Sequence, residues 1–341
     1  MDIVQEGQRL GFDLIGVGPA RPPETDLDAY RAWLDRGEHG EMAYMARPDR
    51  VARRADPTLI LPGARSVVCV AVNYNPGPPP PARPLHGRVS RYAWGQDYHG
   101  WMAERLEALA ALIRAEVGGD VRTRAYVDSG PLLERALAVQ AGLGFIGKNT
   151  CLVHPRLGSW LFLGEILLEA ELPPTGPAMP PRCGTCTRCL DACPTGALVA
   201  PYRLDARRCL SYLTIELKGS IPPSLRPLLG DRIFGCDTCQ EVCPWQRFAR
   251  PTGVAAFGVS VPERAAPLLT ELLSLDEAGF RERFVGTAIL RLGRGRLLRN
   301  VAVALGNAGD PGAVPALRAA LSDPDPLVRE HAAWALRRLS E

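Results

Sequence analysis

Apolar residues in the first half of this chain follow two rhythms. Residues 12–18, 66–74, 122–127 and 161–169 are short runs rich in apolar and β-branched side chains, which predicts four strands. Residues 101–117 and 131–141 repeat their apolar positions at helical spacing, and Pro131 suits a first helical turn, where a missing N–H costs nothing. Proline breaks the pattern twice. Residues 75–81 can only be a loop or a short polyproline stretch, and residues 173–182, Pro-Pro-Thr-Gly-Pro-Ala-Met-Pro-Pro-Arg, read as a linker. Helical spacing returns at 297–305, 313–321 and 327–339, the last after Asp323-Pro324-Asp325-Pro326. The chain therefore divides into an α/β or α+β unit at 1–172, a cysteine-rich unit at 173–250 and a helical unit at 251–341.

The helical end carries D-P-x-A-V-P-A-L-x-x-A-L and then D-x-x-x-x-V-R-x-x-A-x-x-A-L, a pattern that resembles the HEAT repeat. One and a half such units are too thin to bury their own faces and should pack on the unit before them. No apolar run approaches the ~18 residues of a membrane span. The start, MDIVQEGQRLGFDLIGVG, lacks the basic, apolar and small-residue series of a signal peptide. A cytoplasmic protein without a membrane partner is expected.

Hydrophobic residues make up 46% and charged residues 23% of the 341, the profile of a globular protein. The net charge of +3 is too small to argue a partner. Lysine is nearly absent: Lys148 and Lys218 stand among 40 basic residues, so the abundance of arginine reflects codon bias as readily as nucleic-acid binding.

Eight of the ten cysteines lie between Cys183 and Cys243. Disulfide frameworks spread their cysteines; metal sites cluster them. Cys183-x2-Cys186-x2-Cys189-x3-Cys193-Pro194 is the bacterial ferredoxin run, in which three thiolates serve one cubane and the fourth crosses to another. Cys236-x2-Cys239-x3-Cys243-Pro244 repeats its last three positions, with Ile233 where the first cysteine would stand. Cys209 is the one other cysteine available. Two [4Fe–4S] clusters then close the count: Cys183, Cys186, Cys189 and Cys243 for the first, Cys193, Cys209, Cys236 and Cys239 for the second. Zinc, the alternative, needs neither a third x2-spaced cysteine nor Cys-Pro. Cys69 and Cys151 read as packing thiols.

Three segments of the first unit are dense in reactive residue types. Ser90-Arg91-Tyr92-Ala93-Trp94-Gly95-Gln96-Asp97-Tyr98-His99 precedes a helix, and Asp97 could simply cap it. Asp128 closes a strand in Val127-Asp128-Ser129-Gly130-Pro131; shielded from water, it would have a raised pKa and donate a proton, or it could serve as a cap. Gly142-Leu143-Gly144-Phe145-Ile146-Gly147-Lys148 allows close approach to a ligand but has neither P-loop nor dinucleotide spacing, and could be a plain turn.

Together with Met42-x-x-Met45-Ala46-Arg47, Asp205-Ala-Arg-Arg-Cys-x-Ser-Tyr-Leu-Thr-Ile-Glu and Leu298-Arg-Asn-x-Ala-Val-Ala-Leu-Gly-Asn, these segments resemble the epoxyqueuosine reductase family over most of the chain. The cysteine runs are shared widely; the last two stretches are much more specific. The resemblance implies a nitroreductase-like cobalamin-binding domain related to reductive dehalogenases, a ferredoxin-like module with two [4Fe–4S] clusters, and a HEAT-like end. It implies reduction of epoxyqueuosine to queuosine at the tRNA wobble base, with cobalamin fed by the clusters from an unidentified electron donor. Asp128 matches the family's proton donor, with Gly130 where alanine is common. Cobalamin contacts carry over onto Arg54, Arg91, Asp128, Ser211 and Asp237, and a tRNA contact onto Lys218. Arg281, Arg283, Arg291, Arg294, Arg296 and Arg299 would suit phosphates. A monomer is expected. A dehalogenase and a plain electron carrier are the rival readings; the HEAT-like end argues against the first and the large front domain against the second.

Overall fold

The structure, a computed structural model, describes residues 2–259 and 261–340. Strands form at β1 (Leu14–Pro19), β2 (Ser66–Asn73), β3 (Thr123–Tyr126) and β4 (Leu161–Leu168), each close to its expected limits. They build one sheet in the order β1-β2-β4-β3 with every neighbouring pair antiparallel. That pairing makes the unit α+β, so no parallel-sheet crevice dictates where a ligand binds. All eight residues of β2 are buried, as its unbroken apolar run requires.

Helices cover both faces. On α1 (Tyr98–Val117), Met102, Leu106, Leu109 and Ile113 pack on Val68, Val70, Val72 and Ile166. On α2 (Glu134–Gln140), Leu137 and Ala138 pack on Val67, Cys69, Ala71 and Leu167. Each such buried aliphatic side chain contributes about 1.5–3 kcal/mol. A Cβ on Gly16 would meet the Ala141 carbonyl oxygen at 2.0 Å, so glycine is what lets the end of α2 lie across β1. Helix α2 starts three residues beyond Pro131. The intervening loop turns inward from Asp128, whose φ is +56°, and Leu133 is not helical.

The cysteine-rich unit has two one-turn helices, Arg188–Asp191 and Thr238–Glu241, and a short strand, Arg232–Phe234, parallel to Arg88–Val89 of the front unit. The end of the chain folds as α3 (Arg294–Ala308), α4 (Val314–Ala320) and α5 (Pro326–Leu339). These helices do not stand alone: their core residues Leu297, Val301, Leu305, Val328 and Ala332 continue into Val89, Trp94, Ile233 and Phe234. Among the described residues no helix is long and apolar enough to cross a membrane.

Tyr212–Glu216 is a π-helical turn, a form rare outside functional sites. Residues of α3 hold it. Fully buried Arg299 donates to the carbonyls of Leu213 (2.7 Å), Leu217 (2.9 Å) and Gly219, and the Asn300 amide donates to those of Thr214 (2.8 Å) and Ile233 (2.9 Å). The backbone groups a π-turn leaves unpaired are satisfied from outside it.

Candidate redox active site

The two cysteine runs fold in the same way. Cys193 N–H donates to the Leu190 carbonyl and Cys243 N–H to that of Gln240, each closing a one-turn helix. Cys183, Cys186, Cys189 and Cys243 surround one cavity of about 220 Å³, with Lys148, Arg182 and Arg247 at its edge. Lys148 anchors this loop: its ammonium donates to the carbonyls of Gly184 (2.7 Å) and Cys186 (2.9 Å), and its N–H to Cys183 Sγ (3.4 Å). On the other side, the thiols of Cys193 and Cys236 approach Cys209, and those of Cys209 and Cys236 approach Cys239. Burial pushes Cys209 up to about 11, as expected for a thiol that ionises only when a metal takes its proton. Two groups of four soft donors at separate places fit two cubanes.

Cys69 is a buried packing residue on β2. Cys151 is more than that, since its thiol lies close enough to that of Cys239 for the two to interact. The preceding residue, Thr150, lines a larger cavity and has φ +66°.

That cavity measures about 700 Å³. Its walls include Tyr44, Met45, Arg50, Arg54, Asp128, Glu134 and Glu216, the last from the end of the π-turn. Asp128 and Thr150 are two of only four non-glycine residues at positive φ among those described, a strain that collects at functional sites. The Arg54 guanidinium is buried, touches only Tyr30 Oη (3.3 Å) and Met45 Sδ (3.4 Å), and has no carboxylate partner among the described residues. A buried guanidinium in a cavity wall with no carboxylate in direct contact suits a ligand carrying amide or phosphate oxygens. Among the described residues no histidine lines the cavity.

Asp128 is open to the cavity, with 63% of its side chain accessible. Its Oδ2 accepts from Tyr98 Oη (2.9 Å) and lies 3.7 Å from His99 Nε2. The expected rise in its pKa is overturned: the neighbouring His99 imidazole, reinforced by the Tyr98 hydrogen bond, holds the carboxyl below its usual range. Burial works against the charge of His99, but the carboxylates of Asp128 and Asp97 beside it outweigh that and lift His99 to about 9. At neutral pH the proton therefore rests on the imidazole, next to the carboxylate.

Of the other expected contacts, Arg54 shares the cavity with Asp128, while Arg91, Ser211 and Asp237 do not line it. Arg91 and Asp237 hold each other: Arg91 N–H donates to Asp237 Oδ2 (2.8 Å), and the guanidinium pairs with Glu241 (2.8 Å) and lies over Trp160. They bind the front unit to the second cysteine run. Ser211 precedes the π-turn, two residues after Cys209. Lys218 is exposed just beyond that turn. The arginine set needs correction. Arg299 is fully buried against carbonyls and Arg294 is held by Asp323 with 12% of its side chain accessible, so Arg299 cannot reach a phosphate and Arg294 is already neutralised. The sequence reading passed over Glu165, wholly buried at the centre of β4; its signal was a lone acid inside Leu-Phe-Leu-Gly-Glu-Ile-Leu-Leu.

Comparison with known proteins agrees with this layout. The family "Epoxyqueuosine reductase QueG, DUF1730" matches residues 54–129, "4Fe-4S double cluster binding domain" matches 182–246, and "HEAT repeats" matches 284–341. The chain is 49% identical over 343 residues to the epoxyqueuosine reductase of Pseudomonas aeruginosa, covering 98% of this chain and 93% of that one. A solved epoxyqueuosine reductase in complex with an epoxyqueuosine-modified tRNA-Tyr stem loop aligns with a TM-score of 0.91 at 34% identity, over 100% of this chain and 90% of that one. The Bacillus subtilis enzyme, solved with its catalytic aspartate loop swung out of the active site, aligns with a TM-score of 0.89 at 34% identity, over 99% and 89%.

Proposed function

The chain belongs to the epoxyqueuosine reductase family, and from that membership we propose how its cavity, thiols and proton-bearing groups divide the reaction. The enzyme reduces epoxyqueuosine to queuosine in tRNA, and it contains a 4Fe-4S double-cluster domain. In our reading Cys183, Cys186, Cys189 and Cys243 hold the outer cluster, and Cys193, Cys209, Cys236 and Cys239 the inner one. Cobalamin would be held in the large cavity by Arg54 and Asp128, with Arg91, Ser211 and Asp237 supporting the wall between cavity and thiols. When bound, these groups supply low-potential electrons and a nucleophilic or one-electron-donating cobalt at the epoxide. Everything else falls to the chain. Arg54 orients the polar rim of the ligand, and Asp128 delivers a proton received from His99 to the departing epoxide oxygen. The Asp128 loop, with its positive φ, is the segment we take to move as the aspartate loop does in the Bacillus subtilis protein. Lys218 meets the tRNA backbone. An external, unidentified donor supplies the electrons, and the enzyme acts as a cytoplasmic monomer.

One observation carries the reading. The cavity has Asp128 on one wall and Thr150 on another, and Cys151, the next residue, touches Cys239. Proton donor and electron exit thus meet in one space.

Anaerobic turnover tests it, with the reconstituted protein, cobalamin, a chemical reductant and an epoxyqueuosine-bearing tRNA stem loop, and nucleosides analysed by mass. Queuosine is the expected product; unchanged epoxyqueuosine would refute the assignment. Asp128→Asn should keep iron and cobalamin at wild-type content while losing about 10²–10⁴-fold in kcat, the usual range for a general acid. Full activity in that variant removes Asp128 from the role.

A further inference from the structure

Loss of the epoxide oxygen as water breaks two C–O bonds and leaves a double bond between the two carbons. It takes up two electrons, which the external one-electron carrier supplies, and two protons. The pair His99–Asp128 holds one proton. The second needs a source.

Glu165 sits on β4 between Cys69 and Tyr126 in register, wholly buried on the face that packs against α2. Neither of its oxygens finds a donor among the described residues, and nor does Oε1 of Glu134, the first residue of α2. The two carboxyls lie within hydrogen-bonding reach of each other. Two carboxylates have no donor between them, so this contact exists only if at least one carries a proton. Glu134 also lines the cavity beside Asp128 and accepts from the Asp128 backbone N–H.

We propose that Glu134 and Glu165 form a shared-proton carboxyl pair that stores the second proton and returns it to Asp128 through cavity water. The charges around the pair favour this. Glu134 faces Asp128, Arg54, Arg135 and Glu165, and Glu165 faces Glu134 and Asp128. Arg135 is partly engaged, donating to the Thr150 carbonyl. Burial, then the charge of Asp128, raises Glu134 to about 8, and burial followed by the charge of Glu134 pushes Glu165 well up. A raised pKa means the proton is in place below that value and lost above it. The store is full at neutral pH and empties on the alkaline side.

The proposal rests on the epoxide-reduction reading, so its test has two arms. In the first, Glu134→Gln and Glu165→Gln holoenzymes turn over the modified stem loop from about pH 6 to about pH 10. A kcat lower by about 10–100-fold is expected, with KM within about 2-fold of wild type, unchanged iron and cobalamin content, and loss of the fall in kcat near pH 8, so that only the fall through about 9 set by His99 remains. Wild-type kcat in both variants, or an alkaline limb unchanged in both, overturns the proposal and leaves that limb to His99. In the second arm, infrared difference spectra of the substrate-free wild-type holoprotein should show a protonated-carboxyl C=O band that titrates away on the alkaline side and changes in Glu134→Gln. Absence of that band overturns the proposal even if Glu165→Gln does not fold. A wild-type enzyme that shows the band but leaves epoxyqueuosine intact fails the functional reading instead.

Discussion

Charge placement around Asp128 decides what the cavity can do, and most of it comes from one side chain. His99 bridges Asp97 (2.8 Å) and Asp128 (3.7 Å), and Arg291 closes on Asp97 from the helical unit. His99 is raised from 6.5 to about 9, so the stability it contributes is fully present below pH 6.5 and is lost as pH rises through about 9. Asp128 is lowered, so its share is present above 3.8 and lost as pH falls. His99→Gln should therefore melt several degrees below wild type near pH 6, with the gap closing above about pH 9. Equal melting curves at both pH values would show that the imidazole carries no such charge. The sequence pointed to Asp128 because a strand followed by Asp-Ser-Gly-Pro places an acid at a turn. It could not show the sign of the pKa shift, since the partner that sets it lies on α1. Glu165 was hidden for a related reason: in a run of apolar residues it reads as part of a strand, and its meaning appears only when α2 brings Glu134 over it. Cys151 likewise looked like packing until the fold set it against Cys239.

Among the elements, the π-turn at Tyr212–Glu216 does the most with the fewest residues. Leu213 N–H reaches back to the Cys209 carbonyl (2.9 Å), and Thr214 Oγ1 accepts from Gly235 N–H (2.9 Å), the residue before Cys236. One turn thus spaces two cysteines of the inner group, and its last residue, Glu216, enters the cavity. Asn300 holds it from α3. Asn300→Ala leaves the carbonyls of Thr214 and Ile233 unpaired, at about 1–3 kcal/mol each. The variant should melt lower and, after reconstitution, bind about half the wild-type iron, with the outer group loaded. Full iron content in a folded variant would mean that the turn does not set the inner group's spacing. Periodicity located the four strands and the long helices because burial on one face leaves a repeat in the sequence. It could not reveal the antiparallel order, which depends on contacts far apart in the chain. Nor could it reveal the π-turn, because the donors that stabilise it come from Leu-Arg-Asn some 85 residues downstream. That motif resembled the family's before its physical purpose was visible. The start of α2 was misplaced because Pro131 suits a first turn as well as it suits the loop that actually holds it.

Across the whole molecule, the three units were readable in order, but the way they share surfaces was not, and that sharing constrains where tRNA can dock. A net charge of +3 gives little general attraction for a polyanion. The structure narrows it further: Arg281 pairs with Glu277, Arg283 with Glu271, Arg291 with Asp97 and Arg294 with Asp323. Three of these arginines pair with acids of the helical unit itself, and Arg291 ties that unit to the front unit through Asp97. Lys218 differs. It is exposed, its ammonium makes no ion pair among the described residues, and it follows the turn whose Glu216 reaches the cavity. Lys218 stands outside the cavity, apart from the Arg50, Arg54 and Arg135 that line it, so its own share should be visible in the salt dependence of binding. Each phosphate neutralised adds about 0.7–0.9 to the slope of log K against log salt. Lys218→Ala should weaken binding of the modified stem loop at low salt and reduce that slope by roughly this amount, while kcat at saturating stem loop stays near wild type. Titrations of both proteins across a salt series measure it directly. An unchanged slope would place the tRNA backbone elsewhere on the molecule, and a fall in kcat without a change in slope would show that Lys218 acts on the cavity rather than on the phosphates.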